Sequence, residues 1–185
     1  TGVDEAQDAK LVGLLSGVAD DLRNLGRLDE ALVAGQQAVE VGEKLLPGAA
    51  PETVIKVGSA HVMLGRVLLD QSRLPEAESE FETAERVLTP SAGGKTPRQL
   101  VVARIDRADA LLSLGRLDEE VQVLEQAERD GETLVAEAEP GVQLLRALRI
   151  RLNAWASLAV VYDTPVAPSL DQPERALVYR DKLRK

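Results

Sequence analysis

The chain has 185 residues, 44% of them hydrophobic but only 2% aromatic, with a formal charge of −9 and a pI near 4.8. That length suits one sizeable core or an elongated repeat array and is short for two independent domains. The acidic balance argues against nucleic acid, whose phosphates are gripped by clustered Lys and Arg, and the absence of cysteine removes disulfides, thiolate nucleophiles and thiolate metal sites.

The apolar content is almost all Leu, Val and Ala, which favours helices over strands. Sixteen Arg against six Lys point to a GC-rich bacterial genome, and the missing cysteine suits a reducing cytoplasm. No apolar run approaches the roughly 18 residues of a membrane span. The opening TGVDEAQDAK lacks the basic start and apolar stretch of a signal peptide. Without an initiator Met, the sequence is expected to be a fragment of a longer protein.

Leu11, Leu15, Val18, Leu22 and Leu25 alternate steps of four and three, which predicts a first helix with these residues on its apolar face. A second pattern runs from Leu28 through Ala31, Leu32, Ala38 and Val39 to Leu46, and Pro47, Gly48 and Pro51 break it. The same plan returns as helices over about 51–70 and up to 88, then over about 97–114 and 117–138. Thr96 ahead of Pro97 and Gln99 reads as an N-cap, a first-turn proline and the return partner of a capping box. A further helix ends near Tyr162, and a Pro-rich loop at 164–173 precedes a last short helix. Nothing alternates with period two, so no strand is predicted.

One octapeptide is nearly repeated, NLGRLDEA at 24–31 and SLGRLDEE at 113–120. It reads as the tight turn inside a helical hairpin, with Gly26 and Gly115 supplying the backbone freedom and Asp29 or Asp118 opening the next helix. QSRLPEAE at 71–78 is a third copy, with Pro75 at a first-turn position.

These hairpins resemble tetratricopeptide repeats, which carry a Trp, Leu, Gly and Tyr pattern on the first helix and Ala, Phe and Pro on the second. Trp155, Leu158, Ala159 and Tyr162 match the first-helix spacing; Leu64, Gly65 and Leu68 match it again, followed by Ala77, Phe81, Ala84 and Pro90. Val18, Ala19, Leu22, Gly26, Ala31 and Ala38 carry it in the first unit, and Ala108, Leu111, Gly115 and Ala127 in the third, where Arg107 and Glu120 depart from it. The small residues Ala19, Gly65, Ala108 and Ala159 are 46, 43 and 51 residues apart. The standard unit has about 34 residues. The longer period is similar to the variant of kinesin light chains and of many bacterial signalling proteins.

The resemblance implies an all-α, right-handed superhelix of about four stacked helix-turn-helix hairpins, with repeats near 4–47, 51–90, 97–139 and 141–185 in a single array over 1–185. It implies a non-enzymatic module that binds a protein or peptide segment, the sensor or scaffold part of a larger bacterial signalling or regulatory protein in the cytoplasm. No cofactor, metal, nucleic acid or membrane is expected. Register places Ser16, Asp20, Arg23, Asn24, Met63, Arg66, Asp70, Asp106, Asp109 and Ser113 on the concave face that would meet the partner. The carboxylate clamp of some co-chaperone repeats is absent, because its positions hold Ser16, Asp20, Met63, Val102 and Asp106. A self-association domain is the alternative, with Ala176, Leu177 and Leu183 of the last helix as a surface for another copy.

An enzyme, such as a hydrolase, is the distant alternative. The single histidine, His61, lies where the family packs an aromatic ring, and GLLSG at 13–17 misplaces the serine of a nucleophile elbow inside a helix. AGGKTP at 92–97 ends like a phosphate loop, but no glycine leads it and no strand precedes it. The run Glu76, Glu78, Glu80, Glu82 and Glu85 reads as a solvated face, since alternate residues on a helix diverge.

Trp155 is expected between packed helices, so Trp155→Ala is expected to cost roughly 3–5 kcal/mol in chemical denaturation. Emission at the wavelength of fully hydrated indole in the folded protein is the contrary result.

Overall fold

The computed structural model describes residues 2–89, 96–138, 154, 156–158 and 173–183. Among them every regular element is a helix: α1 (Gly2–Asn24), α2 (Leu28–Leu45), α3 (Pro51–Asp70), α4 (Leu74–Leu88), α5 (Arg98–Ser113), α6 (Leu117–Glu137) and α7 (Pro173–Leu183), with Ala154 and 156–158 also helical. The fold is the expected all-α one, built of helix-turn-helix hairpins, α1 with α2, α3 with α4 and α5 with α6. The chain divides into two compact units, Thr1–Gly94 and Lys95–Lys185. Trp155, Ala159, Tyr162, Pro90 and the segment 90–95 lie outside the described residues.

The octapeptide forms the joint of each hairpin. Gly26 and Gly115 have φ of 73°, and Ser72, at the same position of the second joint, has φ of 59°. This left-handed backbone lets two amides fold back onto the ending helix: Gly26 N donates to Arg23 O and Arg27 N to Leu22 O, both at 2.9 Å. Ser72 and Arg73 make the same pair of bonds to Leu69 and Leu68, and Gly115 and Arg116 to Leu112 and Leu111. The arginine that follows then forks onto the glutamate three residues on. Arg27 donates Nε to Glu30 Oε1 at 2.7 Å and Nη2 to Oε2 at 2.5 Å; Arg116 grips Glu119 at 2.7 and 2.5 Å, and Arg73 grips Glu76 likewise. These hydrogen bonds hold Glu30, Glu76 and Glu119 below the usual carboxylate range. The motif recurs because each of its residues has a task in one turn.

In the first unit, α3 is the centre, packing against α1, α2 and α4. Its neighbours approach as closely as missing side chains allow. A Cβ placed on Gly58 would lie 2.5 Å from Leu88 Cδ2, and one on Gly65 would lie 2.6 Å from Phe81 Cε1. On the other side of α3 the roles reverse: Val57 and Leu64 are the large residues, and Cβ atoms on Gly42 and Gly35 of α2 would meet them at 3.1 and 3.3 Å. Phe81 and Leu88 are fully buried. Burial of each is worth about 1.5–3 kcal/mol, and it depends on the glycine opposite.

The second unit has its own core. Ala108, Val121, Leu124, Leu158 and Ala176 form one cluster, and Val101, Ala127 and Ala154 another. Ala176 brings α7 onto α6, where Arg175 pairs with Glu125 at 3.3 Å and Lys182 with Glu128 at 3.2 Å. Arg104 of α5 pairs with Asp130 of α6.

Several local expectations change. The buried face of α1 is Ala9, Val12 and Ala19, whereas Leu11, Val18 and Leu25 are exposed. The heptad of leucines is the more regular pattern, but the narrower Ala and Val edge lets α1 approach α2 and α3. Pro97, not Thr96, is the cap residue of α5 and makes no side-chain cap bond; Thr96 N donates instead to Glu137 Oε2 at 3.0 Å. Glu80 leaves the solvated face to meet His61. Ala176 is buried rather than free for another copy, while Leu177 stays exposed.

Gly65→Ala is expected to destabilise the protein by about 1–3 kcal/mol, because the phenyl ring of Phe81 cannot withdraw from packed surroundings. Gly17→Ala, which meets nothing within 4 Å, is expected to stabilise by up to about 1 kcal/mol through helix propensity. Denaturant midpoints of the two variants should move in opposite directions.

Candidate functional site

Because α1 packs beside α3, Asp20, Arg23 and Asn24 of the one and Met63, Arg66 and Asp70 of the other belong to neighbouring first helices. Arg23 joins the two helices: its Nη1 lies 3.2 Å from Asp70 Oδ2 and its Nε 3.6 Å from Asp20 Oδ1. The pair is partly shielded, with the Arg23 side chain 24% exposed. Asn24 and Asp70 are exposed, and Asp20, Met63 and Arg66 are half-buried. Two of the predicted hydroxyls are already engaged by their own helices, Ser16 Oγ donating to Val12 O at 2.8 Å and Ser113 Oγ to Asp109 O at 2.9 Å. On α5, half-buried Asp106 and exposed Asp109 and Ser113 form a separate group in the second unit.

Alignment on the joints puts Asp20, Arg66 and Asp109 at one repeat position, and Asn24, Asp70 and Ser113 at another. At the first of these positions the charge alternates in sign from hairpin to hairpin, and at the second only Asp70 is charged. One feature has no signal in helical periodicity: an open recess of about 590 Å³ where the first two joints meet, lined by Gly26, Leu28, Asp29, Leu32, Gln71 and Arg73. Gln71 Nε2 donates to Asp29 Oδ1 across it at 3.1 Å. Only the recurrence of the octapeptide hinted that two such joints lie side by side.

Two buried polar groups lie away from this face. His61 is 2% exposed, with Nδ1 2.8 Å from Glu80 Oε2 of α4 and Nε2 4.0 Å from Glu43 Oε1 of α2. It fills the centre of α3 between the two glycine crossings, a packing position. Glu120 is 3% exposed and occupies the place that Ala31 and Ala77 hold in the other hairpins. Its Oε2 has no hydrogen-bond partner among the described residues. Among the described residues no group of three His, Asp or Glu is placed to hold a metal, and no helix is long and apolar enough to cross a membrane.

Such hairpins, joined by fixed turns and stacked through small residues, define a helical-repeat protein. Residues 12–48 match the family model for the tetratricopeptide repeat. Among solved structures, the fold is similar to BtubC (BKLC) from P. vanneervenii, at 17% identity and a TM-score of 0.70, covering 97% of this chain and 66% of that one. It is similar to a de novo designed helical repeat protein (19%, 0.63, 97% and 94%) and to the nearly identical TPR-like repeats of a kinesin light chain candidate from Podosopora anserina (17%, 0.59, 96% and 90%). A search of curated proteins found no match. The first hairpin is a tetratricopeptide repeat, and the chain carries the fold of tetratricopeptide-like repeat proteins, kinesin-light-chain-like repeats among them.

Burial, and next to it the charge of Asp109, raises the carboxyl of Glu120 from 4.5 to about 7. Below pH 4.5 the group is neutral whether the chain is folded or not. Between 4.5 and 7 the unfolded chain releases the proton first, so stability falls as pH rises, and above 7 the deficit is complete. It amounts to on the order of 3 kcal/mol. Glu120→Gln is therefore expected to match the parent near pH 4 and to exceed it in stability at pH 8, read as thermal midpoints across that range. A difference that does not vary with pH would assign the effect to packing instead.

Proposed function

We propose that this chain is a non-enzymatic module that binds a protein or peptide segment, and that it serves as the sensor or scaffold part of a larger bacterial signalling or regulatory protein in the cytoplasm. The observation that carries this reading is the polar face of the first helices. In the first unit, Asp20, Arg23, Asn24, Met63, Arg66 and Asp70 come from two adjacent repeats, and the core requires none of them beyond the Arg23–Asp70 tie. Side chains of both signs, partly exposed and held on rigid helices, suit hydrogen bonding to an extended segment of mixed charge. Asp106, Asp109 and Ser113 extend the same character in the second unit. The repeat fold adds support, since stacked helical repeats present extended binding surfaces, though fold alone does not choose a partner.

A self-association domain is the second reading, favoured by exposed apolar residues on α1 and by Leu177 and Val178 on α7, each more than half exposed.

The Arg23–Asp70 tie allows binding to be separated from folding. Arg23→Asp combined with Asp70→Arg keeps an ion pair between the helices while inverting the surface, and Arg66→Glu removes a further cation. The triple variant is expected to keep its stability, read as the thermal midpoint, to within about 1 kcal/mol, since the swap preserves an ion pair between the helices, and to lose a partner captured by the parent chain. Titration of that partner by calorimetry is the measurement. Unchanged affinity in a folded variant removes this face as the binding surface.

A further inference from the structure

The large apolar side chains exposed among the described residues include Leu11, Leu14 and Val18 of α1, at 41%, 59% and 48% exposure, and Leu25, just past its last turn, at 71%. Their spacing of three, four and seven puts them on one side of the helix. Apolar residues exposed singly are ordinary, but a contiguous stripe marks an interaction surface.

Internal repetition says what kind of surface it is. With Gly26 aligned on Ser72, Leu11 falls on Val57, Leu14 on Ala60 and Val18 on Leu64. On α3 those three residues are buried, and α2 receives two of them at Gly42 and Gly35, glycines seven residues apart. So α1 turns outward the same apolar face that α3 turns toward α2. The stripe is also continuous with the existing core, since half-buried Leu15 packs against the cluster of Val12, Ala38 and Ala60. Gly17, beside it, leaves room for a backbone to approach. Exposed Asp8 and Asp21 flank the stripe with negative charge.

We propose that the outer face of α1 is a docking surface for an amphipathic helix of a partner, whose contact side carries glycine or alanine at seven-residue spacing, as α2 does, with basic residues at its edges. The geometry is that of the α2–α3 crossing: Leu11 and Val18 enter the gaps over the two small residues, and the acidic flanks meet the partner's cations. This surface lies on the opposite side of α1 from its buried face and rests on the exposed apolar stripe, independently of the polar first-helix face.

The chain has no cysteine, so a single thiol reports on the stripe. Leu14→Cys in the full chain is labelled with a thiol reagent in the presence of a stapled helical peptide of sequence 28–46, carrying Glu40→Lys and Glu43→Lys to supply the basic edge. At ten times its Kd the peptide is expected to slow labelling about tenfold. A peptide that also carries Gly35→Leu and Gly42→Leu gives no protection, and neither peptide protects a chain carrying Val18→Glu, whose circular dichroism and thermal midpoint confirm that it folds. Equal protection by both peptides, or none by either, overturns the proposal. Protection that grows with chain concentration in the absence of peptide overturns it as well, by assigning the face to a second copy. The Arg23, Asp70 and Arg66 triple variant binds the peptide normally if the stripe acts by itself, so failure of the polar-face reading leaves this result intact.

Discussion

The closeness with which helices approach one another governs this structure. The crossings of α3 with α2 and with α4 set glycines against large side chains, in pairs seven residues apart: Gly35 and Gly42 against Leu64 and Val57, Gly65 and Gly58 against Phe81 and Leu88. Two helical turns return a residue to nearly the same face, so one pair of gaps aligns with one pair of knobs. The volume can sit on either partner. Where the second hairpin has Gly58 and Leu88, the equivalent positions of the third are Val101 and Gly131, and those of the first are Val12 and Gly42, all of them buried. Interiors packed to crystal density tolerate such an exchange only when both members change together.

The joints make those crossings possible. A turn with one left-handed residue and two fixed backbone bonds allows a single registry between the helices it connects, so a glycine on one arrives opposite its knob on the other. Glycine takes this conformation freely, whereas Ser72 takes it at a cost of about 1–2 kcal/mol. The arginine forks that follow are solvent-exposed ion pairs and add little stability. Their effect is to occupy the arginine and glutamate of each joint locally.

Function is read from what the packing does not use. Gly and Ala set against Leu, Val and Phe supply the contacts between helices, while the first helices carry Asp20, Asn24, Arg66 and Asp109 outside the core and leave Leu11, Leu14 and Val18 on the outer side of α1. Glu120 is the exception in the opposite sense, a carboxyl inside a core position that two other hairpins fill with alanine. Its proton makes the stability of the third hairpin sensitive to pH.

Recurrence was legible in the sequence. The octapeptides located the joints, Gly26 and Gly115 announced their backbone, and Ala77, Phe81 and Ala84 announced a buried second-helix face, because turns and helical periodicity depend on residues close together in the chain. His61 as a packed residue was legible for the same reason. The fate of individual faces was not. Apolar period alone favoured the leucine stripe of α1, yet the helix buries Ala9, Val12 and Ala19, since the choice between two apolar faces depends on how near a neighbouring helix can come. Glu80 looked solvated until α3 placed His61 opposite it, and Arg23 looked free until α3 placed Asp70 beside it. Local sequence determined the hairpins and their turns through backbone conformation and short-range hydrogen bonding; only tertiary structure decided which side of each helix is inside, because that is settled by the fit of side chains distant in the chain.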